Sequence, residues 1–154
     1  VPNLVTRAKM NGLSVSLDPS WDDELIHAPN LVQACKGGDL FLPNLAEGRA
    51  ITGLETPEAI LAALAPHFPV VALKLGQAGG MLAHKGVVFS APAADVPVVD
   101  TTGAGDAFDA GLIEAWLKGG APTDWLHAAI AAASRSVQSV GGIPVSLTRQ
   151  KQAI

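Results

Sequence analysis

Short apolar segments alternate with helical stretches along most of this chain. Six segments have the length and composition of β-strands, at residues 13–17, 39–42, 70–75, 81–84, 87–90 and 94–99. Helical patterns follow or separate them, at residues 21–26, 44–53, 59–64, 107–117 and 122–140. This alternation predicts an α/β fold: a three-layer, mostly parallel sheet with helices on both faces.

Turn and capping residues bound several of these elements. Thr56 followed by Pro57 is typical of a helix start, and Ser20 is the predicted N-cap of the helix at 21–26. Lys85-Gly86 lies between two apolar strands and predicts a tight hairpin turn. Since ligands of parallel sheets bind at the carboxyl ends of strands, the residues that follow each strand are the first candidates for a site.

Composition restricts the function classes. The 154 residues are enough for one domain and contain no repeat or flexible linker, which predicts one continuous domain over 1–154, and the 49% hydrophobic and 16% charged residues are typical of a compact α/β protein. A net charge of −4 disfavours nucleic acid and anionic membranes as partners. Cys35 is the single cysteine, so no intrachain disulfide is expected. With no apolar run of membrane-spanning length, these features predict a cytoplasmic protein.

Candidate chemistry is concentrated where the apolar residues 98–99 are followed by a glycine turn and a helix. Gly103 and Gly105 lack a Cβ, so the backbone can adopt positive φ and approach a ligand closely. The first N–H groups of the helix have no partner within it, and they favour an anion. Asp106 is then a carboxylate beside an anion site. It either caps the helix or accepts a hydroxyl proton during phosphoryl transfer.

The string from Asp100 to Phe108, Asp-Thr-Thr-Gly-Ala-Gly-Asp-Ala-Phe, closely resembles the C-terminal signature of the ribokinase-like, or PfkB, family of carbohydrate kinases. The resemblance implies that Asp106 is the catalytic base. It also implies an anion hole formed by the amides of Gly103, Ala104 and Gly105. A dinucleotide-dependent oxidoreductase is disfavoured, because Phe108 stands where the third glycine of Gly-x-Gly-x-x-Gly would be.

Asn44-x-x-Glu47 is similar to the second motif of the same family. The resemblance implies that Glu47 orders a hydrated Mg²⁺ and that Asn44 contacts a phosphate. From the residues alone, the alternative is a helix cap with an exposed glutamate.

A second glycine-rich segment resembles the nucleotide loop of the family, which implies ATP binding by Lys74, Leu75, Gly76, Gln77, Ala78 and Gly79. The alternative is a plain turn from a strand into a hairpin. Lys74 stands where threonine is common in the family, and its ammonium group either meets a phosphate or faces solvent.

Asp100 and Thr102 offer oxygens for a monovalent cation such as K⁺, a site that members of the family often have. Further ligands are then expected near Ser136, Ser139 and Gly141. The alternative is that both residues brace the tight turn through hydrogen bonds.

The resemblance as a whole implies ATP-dependent phosphorylation of a sugar hydroxyl with Mg²⁺. It covers the C-terminal, nucleotide-binding half of such a kinase, so we expect the N-terminal sugar-binding half and its lid to be absent and the chain alone to be inactive. A nucleoside or vitamin-precursor kinase of the same fold remains an alternative, as does a non-catalytic nucleotide-binding fragment. The sugar and the oligomeric state stay open.

Overall fold

The computed structural model describes residues 2–142, which fall into two compact units. The first unit consists of residues 2–75 and 81–89, and the second of residues 76–80 and 90–142. The segment 76–80 belongs to the second unit, and the expectation of one domain over 1–154 stays a prediction.

The first unit holds five helices: α1 (Pro2–Met10), α2 (Asp23–Ile26), α3 (Leu31–Ala34), α4 (Leu45–Thr52) and α5 (Pro57–Leu64). Three strands alternate with them, β1 (Ser16–Leu17), β2 (Leu40–Phe41) and β3 (Val70–Lys74), followed by β4 (Gly80–His84) and β5 (Val87–Ala91). The second unit contains α6 (Ala104–Lys118) and α7 (Pro122–Ser136), with short 3₁₀ turns at Gly76–Ala78 and Val140–Gly142.

The strands form one open, mixed sheet in the order β1-β2-β3-β4-β5. β1 pairs in parallel with β2, and β2 in parallel with β3, so that Leu40 lies opposite both Ser16 and Val70. Four of the five residues of β3 are buried, which shows that both faces of this strand are covered. The predicted α/β class is confirmed.

The core of the first unit lies around β3 and α5. Ile60, Leu61 and Leu64 of α5 are fully buried in one cluster with Val71 and Leu73. This packing follows because α5 has its apolar residues on one face and β3 is buried on both faces.

Helices α6 and α7 pack closely in the second unit. A Cβ added at Gly111 would lie 2.7 Å from the carbonyl oxygen of Ala128 and 2.8 Å from the Cβ of Ala132. The alanine-rich part of α7 therefore serves close helix packing.

Several predicted elements and boundaries are wrong. The N-cap of α2 is Asp22, whose Oδ1 accepts from the N–H groups of Glu24 and Leu25. No strand forms at residues 94–99; the Val99 N–H donates to the Val137 carbonyl at 2.7 Å, just past the end of α7. Helix α6 begins three residues before the predicted start, and α7 ends before the predicted residue 140.

Among the helices of residues 2–142, none combines the length and hydropathy that a membrane crossing requires.

Asp39 ties the start of β2 to α1 and to the chain that enters β1. Both carboxylate oxygens accept from Lys9 Nζ, at 2.7 and 2.8 Å, and Oδ2 also accepts from the Val15 N–H at 2.8 Å. We expect Asp39→Ala to lower the free energy of unfolding by about 1–3 kcal/mol, because an amide in a part-buried position loses its acceptor. Chemical denaturation monitored by circular dichroism measures this loss.

The matched control is Glu55→Ala, which removes an exposed carboxylate 3.3 Å from Arg49. Exposed pairs contribute about 0–1 kcal/mol, so this change should cost less than the change at Asp39. Equal losses would contradict a bracing role for Asp39.

Candidate functional site

Asn44 and Glu47 form a reciprocal cap at the start of α4, in the first unit. Asn44 Oδ1 accepts from the Glu47 N–H at 2.9 Å, and Glu47 Oε2 accepts from the Asn44 N–H at 2.7 Å. The capping interpretation of this pair is thus observed. That interpretation also expected Glu47 to be exposed, which is wrong, because Glu47 is only 6% exposed.

The Glu47 carboxylate is buried, and burial disfavours its negative charge. Burial raises its pKa, and the hydrogen bond from the Asn44 N–H lowers it; the charge of Asp18 raises it further and that of Lys74 lowers it. The net direction is upward. A nearby cation would stabilise the ionised form of Glu47 against the cost of its burial.

Lys74, the last residue of β3, is held by an ion pair. Its Nζ donates to Asp18 Oδ2 at 2.9 Å, and its side chain is 10% exposed. Its backbone N–H donates to the Pro43 carbonyl at 3.0 Å, which extends the β2–β3 pairing up to Asn44. The predicted alternative of a solvent-facing Lys74 is wrong.

The carboxylate of Glu47 fits a Mg²⁺ ion that keeps most of its waters rather than one enclosed by protein ligands. Within residues 2–142 there is no group of three or more His, Cys, Asp or Glu side chains that could enclose a metal ion. Mg²⁺ commonly keeps several waters and uses one or two carboxylates together with substrate phosphates. Glu47 supplies one buried carboxylate, which is suited to that limited role.

The loop after β3 belongs to the second unit from Gly76 onward. Gly76 and Gly79 have φ of +61° and +94°, and the Gly79 N–H donates to the Gly76 carbonyl at 3.0 Å. Residues 76–78 form an exposed 3₁₀ turn, while Gly79 is buried against the segment that follows β5. The loop therefore presents exposed backbone on a fixed base, and it leads directly into β4.

At the start of α6, Gly103 has the positive φ that the sequence allows for both glycines of the turn, and Gly105 does not. Gly103 is the N-cap with φ of +75°, a conformation that favours glycine. The Ala104 N–H donates to the Thr101 carbonyl at 3.1 Å. Within residues 2–142, no hydrogen-bond acceptor is bound to the N–H groups of Gly105 and Asp106. These two amides are open to an anion, whereas that of Ala104 is engaged in the turn.

Asp106 lies in the first turn of α6 with an exposed side chain. Its carboxylate forms no hydrogen bond within residues 2–142, so it does not cap the helix through a side-chain bond there. It keeps the favourable position of an acidic group near a helix N-terminus. A carboxylate in this position is available to accept a proton from a bound hydroxyl group.

Asp100 braces the turn before α6. Its Oδ1 accepts from the Thr102 N–H and its Oδ2 from the Gly141 N–H, both at 2.9 Å. These two bonds hold the pKa of Asp100 below its usual value, and the bond from Gly141 has the largest effect. The bracing interpretation is observed. Ser136 and Ser139, named with Gly141 as further cation ligands, are both buried.

Sequence reasoning missed the ion pair between Asp18 and Lys74. A usable signal was present, because Asp18 follows β1 and Lys74 ends β3, at the same edge of a parallel arrangement. Separation by 56 residues hid the contact.

A comparison with protein families finds one match, described as pfkB family carbohydrate kinase, over residues 3–149. The chain is 32% identical over 149 residues to 2-dehydro-3-deoxygluconokinase of Bacillus subtilis. The matched region covers 92% of this chain and 46% of that protein.

Solved structures show the same fold. The structure of Arabidopsis thaliana ribokinase complexed with ribose and ATP matches with a TM-score of 0.78 and 34% identity, over 92% of this chain and 46% of that one. A protein described as ribokinase II from E. coli, in complex with ATP and Mg²⁺, matches with a TM-score of 0.78 and 27% identity, over 90% and 46%. The chain thus spans less than half of each of these proteins.

Proposed function

The chain belongs to the pfkB family of carbohydrate kinases, and from this membership we propose that the protein transfers a phosphoryl group from ATP to a hydroxyl group of a sugar. The observation that carries the proposal is the exposed Asp106 carboxylate in the first turn of α6, beside the open amides of Gly105 and Asp106.

In the proposed reaction, the sugar hydroxyl oxygen forms a bond to the terminal phosphorus of ATP, and the bond from that phosphorus to the ADP oxygen breaks. Asp106 takes the hydroxyl proton as general base. The backbone amides of Gly103 and Gly105 stabilise the developing negative charge, and the Ala104 amide joins them by giving up its 3.1 Å bond to Thr101.

We assign nucleotide binding to the loop Lys74 to Gly79, whose residues 76–78 are exposed, with Asn44 as a phosphate contact and Glu47 as the residue that orders Mg²⁺. Support comes from the ATP-bound and Mg²⁺-bound relatives described above. When bound, Mg²⁺ neutralises part of the phosphate charge. Asp100 and Thr102 are proposed ligands of a monovalent cation such as K⁺, in addition to the bracing that Asp100 provides.

A second candidate is a nucleotide-binding part without turnover of its own. The observation that favours it is the coverage of 46% of the relatives, because the contacts that select a sugar are then expected in the portion outside the match. Nucleotide binding by this chain is common to both candidates, and it is therefore the property to test first.

Titration calorimetry of Mg·ATP into this chain tests the proposal. We expect binding by the parent, binding retained in Asp106→Asn, and binding lost in Gly105→Val, because a branched side chain beside the open amides excludes the phosphates. Ala110→Val, at an exposed position of the same helix, is the control for a branched residue in α6 and should bind as the parent does.

Absence of binding to a folded parent, with its circular dichroism spectrum and thermal transition intact, would contradict nucleotide binding by this chain. If Gly105→Val bound Mg·ATP with the affinity of the parent, the phosphates would bind elsewhere than at the start of α6.

A further inference from the structure

Lys74 is in an unusual position for a lysine. It ends the buried strand β3, and its side chain is 10% exposed, whereas Lys9, the other lysine that pairs with a carboxylate in the first unit, is 41% exposed. Burying an ammonium group is costly unless a negative group pairs with it. Asp18 is such a partner, with Oδ2 at 2.9 Å from Nζ.

The position of Lys74 relates this pair to Glu47. The backbone of Lys74 pairs with that of Asn44, and the Asn44 N–H is 2.7 Å from Glu47 Oε2. Two carboxylates, Asp18 and Glu47, thus share the carboxyl ends of β1 and β2 with one ammonium group. With all three groups ionised, the cluster has two negative charges and one positive charge.

We propose that Lys74 is the resident counterion of Asp18 and Glu47 and that it competes there with the divalent cation that accompanies ATP. The proposal rests on the function proposed above, which assigns that cation to Glu47. Lys74 acts as a positioning residue: it stabilises the two carboxylates while no metal ion is present, and it limits how strongly they attract one.

Loss of the lysine charge has two opposite consequences. Without a metal ion, two neighbouring carboxylates are left without their counterion, so the folded state becomes less stable. With a divalent cation present, the same carboxylates attract it more strongly, because the positive charge that competes for them has gone. A purely structural ion pair would show the first effect without the second.

The test uses Lys74→Met, which keeps the length of the side chain and removes its charge. Titration of Mn²⁺ alone into the chain, without nucleotide, should show binding on the order of tenfold tighter than to the parent. Lys74→Arg should restore the parent affinity. Lys9→Met, which removes the lysine that pairs with Asp39, should leave it unchanged.

Thermal melting supplies the second readout. Lys74→Met should melt below the parent without metal, and added Mn²⁺ should raise its melting temperature by more than it raises that of the parent or of Lys9→Met. Equal or weaker Mn²⁺ binding in Lys74→Met, including no binding at all, would overturn the proposal. The Mg·ATP titration of the parent decides the proposed function separately, so the two failures are distinguishable.

Discussion

Replacing Asp106 by asparagine is expected to reduce kcat of the protein by about 10²- to 10⁴-fold, the usual effect of removing a general base. Asparagine has nearly the same shape but cannot accept the hydroxyl proton. The Asp106 carboxylate forms no hydrogen bond within residues 2–142, so the change breaks no observed contact of the fold. A steady-state assay of sugar phosphorylation measures kcat, and calorimetry should show Mg·ATP binding close to that of the parent.

The control is Glu114→Gln on the same helix, which removes one negative charge from an exposed pair with Lys118 far from the start of α6. It should turn over as the parent does. If Asp106→Asn turned over as fast as Glu114→Gln, Asp106 would not be the base. If Asp106→Asn lost Mg·ATP binding as well, its role would lie in the nucleotide site.

Elements with strong local signals were predicted closely. Thr56 caps α5 with Pro57 in its first turn, as the sequence indicates, and Gly53 ends α4 with φ of +70°. The hairpin turn forms at Lys85-Gly86, with positive φ at both residues. In each case the residues that fix the conformation are neighbours in the chain, so pattern reasoning has all the information that it needs.

The failures occur where a distant segment decides the outcome. Residues 98–99 are apolar and β-branched, yet both are more than half exposed, and within residues 2–142 no strand pairs with them. The Val99 N–H finds its acceptor at Val137 instead, beyond α7. Strand propensity describes a suitable surface and not a partner, so it cannot say whether a ladder will form.

The site shows the same division. The Asn44 and Glu47 motif is local, and both its cap geometry and its position after β2 follow from the sequence. The burial of Glu47 and the Asp18–Lys74 pair depend on how strands far apart in sequence are placed next to each other. The sequence presented capping and metal ordering as alternatives for Asn44 and Glu47. The structure shows the cap. The proposed metal role of the buried Glu47 carboxylate is compatible with that cap.

Gly79→Ala is expected to destabilise the chain by about 3 kcal/mol or more. A Cβ at this position would lie 2.1 Å from the Ala91 carbonyl oxygen and 2.6 Å from backbone atoms of Pro92 and Ala93, none of which can move as a flexible side chain would. The φ of +94° adds strain of its own for an L-residue. Losses of this size are characteristic of overpacking and backbone strain. Chemical denaturation of the chain gives the free energy of unfolding.

Gly76→Ala separates the two causes within the same loop. Gly76 also has positive φ, of +61°, but no atom of the described part of the chain lies within 4 Å of a Cβ built on it. Backbone strain alone should cost about 1–2 kcal/mol there, so the excess at Gly79 measures the steric contact with residues 91–93. If both variants lost the same free energy, that contact would have no energetic weight. If the excess is found and Gly79→Ala also binds Mg·ATP more weakly than Gly76→Ala, the buried base of the loop is what fixes its exposed backbone for the nucleotide.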